Sequence, residues 1–258
     1  MGYRAFLYKL GIYDEAITCL AHIKKEFWSI NWLKSIWINY RNLPFKQAIY
    51  LPIIVSYNVK FNNKGKILIK GKVSPGIVSI GVIKTGWESN SDKTIFKNRG
   101  TFILYGRFKM HPGSKLIVYP NANIICGNRT SIGSMTKIIC AKLIEIGENF
   151  RISWNGQIFD TDFHFLKNIK SNKIYKRIKP VKIGDDVFIG NSCTIGKGTI
   201  LLDGCVVSCC SKVSGDFTEE GKNLLISGNP AKVVNKGYEM INGWFPKKES
   251  KIALELGE

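Results

Sequence analysis

The stretch Ile183-Gly-Asp-Asp-Val-Phe, Ile189-Gly-Asn-Ser-Cys-Thr, Ile195-Gly-Lys-Gly-Thr-Ile, Leu201-Leu-Asp-Gly-Cys-Val, Val207-Ser-Cys-Cys-Ser-Lys, Val213-Ser-Gly-Asp-Phe-Thr opens every hexad with an aliphatic residue. A Gly or Ser usually follows. Val187, Cys193, Thr199, Cys205 and Ser211 fill the fifth place with a small or β-branched side chain. A period of six does not suit a helix, which would scatter these aliphatics around its axis. It suits short strands with a corner after each. Three such strands close a triangular coil whose inward aliphatics stack on those of the next coil. Gly and Ser then occupy corners that need an unusual backbone angle or a close approach.

The period extends upstream. Ile132, Ile138 and Ile144 keep step, and a new phase starts with Ile146, Ile152 and Ile158. Earlier, Ile103, Ile117 and Ile124 lie in Gly-punctuated, β-rich sequence without clean hexads. The fold predicted is mainly β, a parallel β-helix of hexapeptide repeats with an N-terminal helical segment and a short C-terminal tail. The expected domains are a helical and connector region (1–58), the β-helix (59–235) with an inserted loop at about 160–180 and with residues 219–235 leaving the coil through Gly228–Lys232, and a tail (236–258).

Within 1–43, Trp28, Trp32, Leu33, Ile36, Trp37 and Tyr40 fall at helical spacing, bordered by Lys24, Lys25, Lys34 and Arg41. This stripe either packs on the prism or a neighbouring subunit, or rests on a membrane as an amphipathic segment with interfacial Trp. Pro44 and Pro52 break the connector, and a surface loop is expected around Glu88–Arg99.

Composition narrows the function. The 258 residues carry a formal net charge of +19, a field that draws polyanions. The Lys and Arg residues are spread along the chain without a nucleic-acid motif, so nucleic acid is not the expected partner. The longest apolar run, Ala48 to Val55, is interrupted by Pro52 and too short to span a bilayer. No secretory-signal pattern is expected at the N-terminus, because Asp14 and Glu15 follow Met1 closely and no cleavage site is evident. Seven Cys without a Cys-x-x-Cys pair read as packing residues in a reducing compartment.

The interruption between Ile158 and Ile183 concentrates the chemistry. It holds Asp160-Thr-Asp162-Phe-His164 and a basic run through Lys167, Lys170, Lys173, Lys176, Arg177 and Lys179. A polar loop projecting from a repeat scaffold is where function collects. Imidazole titrates near neutrality and can take a proton from a hydroxyl, and a neighbouring carboxylate can orient it. His22 and His111 read as structural.

These hexads, the Ile158-Phe-Asp-Thr-Asp-Phe-His164 segment and the closing Gly228-Asn-Pro-Ala-Lys-Val-Val resemble the left-handed β-helix hexapeptide-repeat acyltransferases. The pattern is most similar to capsule and exopolysaccharide sugar O-acetyltransferases. The resemblance covers about 100–235. It implies a left-handed coil and a homotrimer with acetyl-CoA bound between adjacent prisms and no metal; the expected location is the cytoplasm, at the inner face of the membrane if the N-terminal stripe rests on lipid. It implies His164 as general base, oriented by Asp160 or Asp162, a choice the sequence leaves open. Asn155, with Trp154 and Phe188, is expected on the sugar or polysaccharide acceptor. Gly190, Asn191, Ser208, Cys209, Ser214 and Lys232 are expected along the cofactor.

The chain departs from the family pattern in three places. Phe188 stands where Trp is common, Ser214-Gly215-Asp216 where Thr-Lys-Asp is common, and Leu202 where a small residue follows the aliphatic. The cofactor-phosphate Lys must then be Lys212, Lys222 or Lys232, with Lys232 preferred. Three other readings compete. A γ-class carbonic anhydrase needs three well-placed His. An N-acyltransferase on an amino sugar usually carries a nucleotide-binding unit before the coils, and residues 1–60 hold no Gly-rich phosphate loop. A non-catalytic binding scaffold would not depend on His164.

Overall fold

The computed structural model describes residues 15–83 and 92–241. From Ile53 onward the chain winds through three parallel sheets in strict rotation. The first face holds Ile53–Val55, Val78–Ile80, Phe108–Met110, Thr130–Ile132, Arg151–Ile152, Phe188–Ile189, Val206–Val207 and Leu224–Gly228. The second runs from Val59–Asn63 to Lys212–Val213, and the third from Lys66–Ile69 to Ile200–Leu201.

Inward side chains stack in columns. Ile132, Ile152, Ile189, Val207 and Ile226 sit in register on the first face. Leu116, Ile138, Ile158, Ile195 and Val213 do so on the second. All are buried. Each coil therefore hides its neighbour's apolar edge, and no single coil is stable alone.

Register also explains why the hexads fade upstream. Partners on the second face lie 18 residues apart at Thr194↔Lys212, three hexads per coil. They lie 20 apart at Lys137↔Gln157 and 22 apart at Lys115↔Lys137, because the strands lengthen. The early coils add Phe to their aliphatic interior. Phe61 stacks on Phe96 at 4.7 Å, and Phe96–Phe102 and Phe102–Phe108 meet edge-on at 5.4 and 5.2 Å.

The hexad glycines serve close approach. A Cβ on Gly190 would lie 2.7 Å from the Cys209 backbone nitrogen, although Gly190 has no positive φ. The positive-φ positions are different ones, two residues further on: Asp186, Ser192 and Cys210 at φ 55–58°. Small polar and small side chains tolerate that left-handed corner best.

The sequence reading needs three corrections. The coil begins at Ile53, inside the segment expected as connector. Thr94–Asn98, expected as surface loop, is a strand because Phe96 fills the interior. Leu224–Gly228 stays on the prism, and Ala231–Lys236 folds back antiparallel to it, where an exit from the coil was expected.

The N-terminal stripe also differs from a packing helix. Helix α1 (Glu15–Lys25) and helix α2 (Trp32–Asn42) precede the coil. Leu33, Ile36, Trp37 and Tyr40 of α2 face outward, while Ser35, Ile38 and Asn39 face the prism. Polar groups do the docking. Asn39 accepts from the Ile53 N–H (3.0 Å) and donates to the Ile53 carbonyl (2.7 Å), and Ser35 Oγ accepts from the Val55 N–H (3.1 Å). The helix thereby saturates the open edge of the first strand, which would otherwise invite pairing with another chain. Replacing Asn39 with Leu leaves both Ile53 backbone groups buried and unpaired. We expect a loss of about 2–4 kcal/mol, read as a lower urea midpoint.

Candidate active site

Each coil has three corners, and the expected site residues divide between two of them. The corner from the first to the second face stacks residues 133–136, 153–156, 190–193 and 208–211. The Asn155 N–H donates to the Ser134 carbonyl (2.8 Å), Ser192 N–H to Trp154 (3.1 Å) and Cys210 N–H to Asn191 (2.9 Å). Trp154, Asn155, Gly190, Asn191, Ser208 and Cys209 therefore share one edge. Asn155 is exposed, and its amide reaches Ser192 Oγ at 3.4 Å. The backbone N–H groups of Asn191 and Cys209 donate to no acceptor among the described residues. Cys193, on the same corner, is a packing residue. Its thiol pKa is raised, first by burial.

The corner from the second to the third face carries the insertion, which folds as a projecting β-hairpin. Leu166–Lys167 pairs antiparallel with Ile174–Tyr175. A side-chain hydrogen bond closes the tip, the Ser171 N–H donating to Asn168 Oδ1 at 3.0 Å. At the base, Thr161 bridges Ile178, and Thr161 Oγ1 accepts from the Phe163 N–H at 3.0 Å. Phe163 is held at φ 64°, its ring 6.0 Å from Phe159. An aromatic residue in that left-handed region costs about 1 kcal/mol or more, and it turns the chain outward immediately before His164. The imidazole is exposed and has no hydrogen-bond partner among the described residues.

The two carboxylates have different roles from the one expected of them. Asp160 is fully buried, and its oxygens accept from the N–H groups of Ala141 (2.7 Å), Lys142 (2.6 Å) and Leu143 (2.8 Å). It pins the hairpin base to the coil above and does not orient His164. It also helps burial push the Cys140 thiol pKa upward. Asp162 pairs with Lys197 of the coil below. Sequence reasoning missed Lys197, because contact between the loop and the third place of a later hexad exists only once the coils stack. Arg177, seen in sequence only as part of the basic run, has its guanidinium 4.9 Å from the centre of the Phe165 ring across the hairpin.

Ser214, expected with the cofactor set, lies on the hairpin's edge, apart from Asn191 and Cys209. Phe188 sits on the first face between Arg151 and Val206. Lys232 follows the turn that docks on the Asn191 edge through the Gly228 N–H to Ser211 Oγ (3.1 Å). An open groove of about 670 Å³ lies beside it, lined by Phe217, Ala231, Lys232, Val233 and Lys236 among others. Of the three candidate phosphate lysines, Lys222 is held by Asp203 at 2.6 Å, which raises its pKa. Lys232 makes no ion pair among the described residues.

Three short parallel strands repeated coil upon coil define a hexapeptide-repeat prism. The chain belongs to the left-handed β-helix hexapeptide-repeat acyltransferases, beside those of capsule, lipopolysaccharide and exopolysaccharide O-acetylation. It is 32% identical over 202 residues to an uncharacterised 24.8 kDa protein of the cps region of Klebsiella pneumoniae, covering 78% of this chain and 86% of that one. WbbJ of Escherichia coli K12, assigned as an O-acetyl transferase of lipopolysaccharide biosynthesis, is 25% identical over 54% of this chain and 74% of its own. The crystal structure of the polySia-specific acetyltransferase NeuO superposes with a TM-score of 0.48 at 17% identity, over 76% of this chain and 99% of that one. No protein-family model matches the chain.

The two carboxylates are separable by experiment. Asp160→Asn places an amide against three backbone donors and is expected to cost about 2–4 kcal/mol, visible as a lower melting temperature. Asp162→Asn removes a partly exposed pair and is expected to change stability by about 1 kcal/mol or less.

Proposed function

We propose that the protein transfers an acetyl group from acetyl-CoA to a hydroxyl of a surface-polysaccharide sugar or its lipid-linked precursor. The observation that carries this reading is the exposed, unpartnered His164 at the root of the hairpin, on a prism whose neighbouring edge offers free amides at Asn191 and Cys209. The two groups lie on different edges of one prism, separated by the second face. Its strands of two to three residues near this level (Gln157–Phe159, Thr194–Ile195) hold the edges about 7–10 Å apart, well beyond hydrogen-bond reach. A base and an oxyanion site cannot meet across that gap. They meet if the hairpin edge of one copy faces the corner edge of the next, as in a closed homotrimer.

In such a cleft neutral His164 takes the proton of the sugar hydroxyl. The oxygen attacks the thioester carbonyl, and the corner N–H groups receive the developing oxyanion. The C–S bond then breaks, and the imidazolium returns its proton to the thiolate. No covalent acyl-enzyme and no metal enter this scheme. Asn155, with Trp154 beside it, is placed for the acceptor. In this reading Lys232 meets the cofactor phosphates and Phe188 borders the acceptor, while Ser214, on the hairpin edge, would serve only from the neighbouring copy. Asp162, held by Lys197, anchors the hairpin, so the imidazole's orientation must come from the neighbouring copy or the substrate. Transfer to an amine of an amino sugar is the second reading, since the same base and oxyanion site would serve it. We place the protein in the cytoplasm at the membrane's inner face, where acetyl-CoA and lipid-linked sugars meet.

Thiol release from acetyl-CoA, measured with oligosaccharide, lipid-linked and amino-sugar acceptors, tests the proposal. His164→Ala is expected to lower the rate by about 100-fold or more with CoA binding retained. Equal rates for the variant and the wild type would reject His164 as base. Turnover on amines alone would favour N-acylation. Sedimentation equilibrium is expected to give three times the chain mass, and a stable monomer with full activity would reject the shared cleft.

A further inference from the structure

The outward face of the N-terminal cap holds a surface that the acetyl-transfer chemistry does not use. Trp28 is 88% exposed, Leu33 83%, Phe45 71% and Trp37 57%. Leu33, Ile36, Trp37 and Tyr40 form one contiguous stripe along α2 at spacings of three and four residues. Phe45 continues it, its ring 6.0 Å from that of Tyr40. On the opposite side Ile38 is the one fully buried apolar residue, and Ser35 and Asn39 are spent on the edge strand. Amphipathicity is thus inverted: the apolar stripe of a helix normally faces the core. Leaving it in water forgoes burial worth about 1.5–3 kcal/mol for each large side chain.

Charge selects what covers it. The sequence from 27 to 87 contains nine Lys or Arg and no Asp or Glu. In sequence Lys24, Lys25, Arg41 and Lys46 lie around the stripe, Arg41 stands 5.6 Å from the Trp37 ring centre, and Glu26 is the nearest acidic neighbour. A second copy seated on this face would set cation against cation. An anionic lipid surface offsets the charge and accepts Trp and Tyr at its interface, where their amphipathic rings are favoured. No helix among the described residues is long and apolar enough to cross a membrane, so the contact lies on the surface.

We propose that the outward face of α2, with Trp28 and Phe45, docks the protein on an anionic phospholipid bilayer. The inference stands independently of the acetyl-transfer reading, since a bound protein need not turn over. The test is co-sedimentation of the full chain with vesicles of phosphatidylcholine, with and without phosphatidylglycerol, at low and high salt. We expect partitioning onto the phosphatidylglycerol vesicles that falls with salt. Trp28→Ser/Trp37→Ser/Phe45→Ser should lower it by about tenfold or more, with an unchanged circular dichroism spectrum and an unchanged sedimentation mass. The proposal is overturned if the wild type stays in solution, or if it binds neutral vesicles equally well. It is also overturned if the triple variant binds like wild type, or if its mass falls to that of a smaller assembly, which would make the face an interface between copies.

Discussion

The structure depends on one repeated contact: an inward aliphatic resting on the equivalent aliphatic of the next coil, with the backbones drawn close enough to exchange hydrogen bonds. The Ile132–Ile152–Ile189–Val207–Ile226 column is the clearest instance. Everything else is arranged so that it can continue. Glycines such as Gly190 remove the Cβ that would collide with the coil below. Corner residues such as Ser192 and Cys210 accept a left-handed angle so that the next strand starts in register. Stacking of this kind has no natural end, so both ends are closed by something else. Asn39 and Ser35 cap the first strand, and Ala231–Lys236 folds over the last.

A scaffold so regular leaves little room for individuality in its coils, and the chain spends it on two departures. The hairpin at 160–180 breaks the rotation between the second and third faces without disturbing the columns, because Ile158 still stacks on Ile195. Asp160 makes this possible. A buried carboxylate that satisfies three backbone donors closes the gap where the chain leaves the coil. The N-terminal cap is the other departure, and there polar groups dock the helix while aromatic groups face outward. Both hold exposed side chains, an imidazole on one and aromatic rings on the other, on elements anchored by buried hydrogen bonds.

The architecture was legible because a six-residue period has one structural meaning, and composition at the fifth position reinforced it. Legibility declined towards the N-terminus for a physical reason. Coils of 20 and 22 residues with longer strands no longer divide into hexads, and Phe96, Phe102 and Phe108 replace the aliphatic signal. His164 stood out in sequence as an imidazole between a carboxylate pair and a basic run. Its neighbours misled. Asp160 and Asp162 are close in sequence, yet one points into the coil and the other down to Lys197.

By itself, then, the sequence determined that the chain is a stack of three-stranded coils, where the stack is interrupted, and which imidazole stands at the interruption. All of these are encoded in local period and in side-chain type. The tertiary structure alone decided which edge each side chain occupies. It separated His164 and Ser214 from Asn155, Asn191 and Cys209, assigned Asp160 to the scaffold, and turned the aromatic stripe of α2 outward. Edges and facing directions depend on how many residues each corner consumes and on what the neighbouring coil presents, and neither is written in the spacing of any single segment.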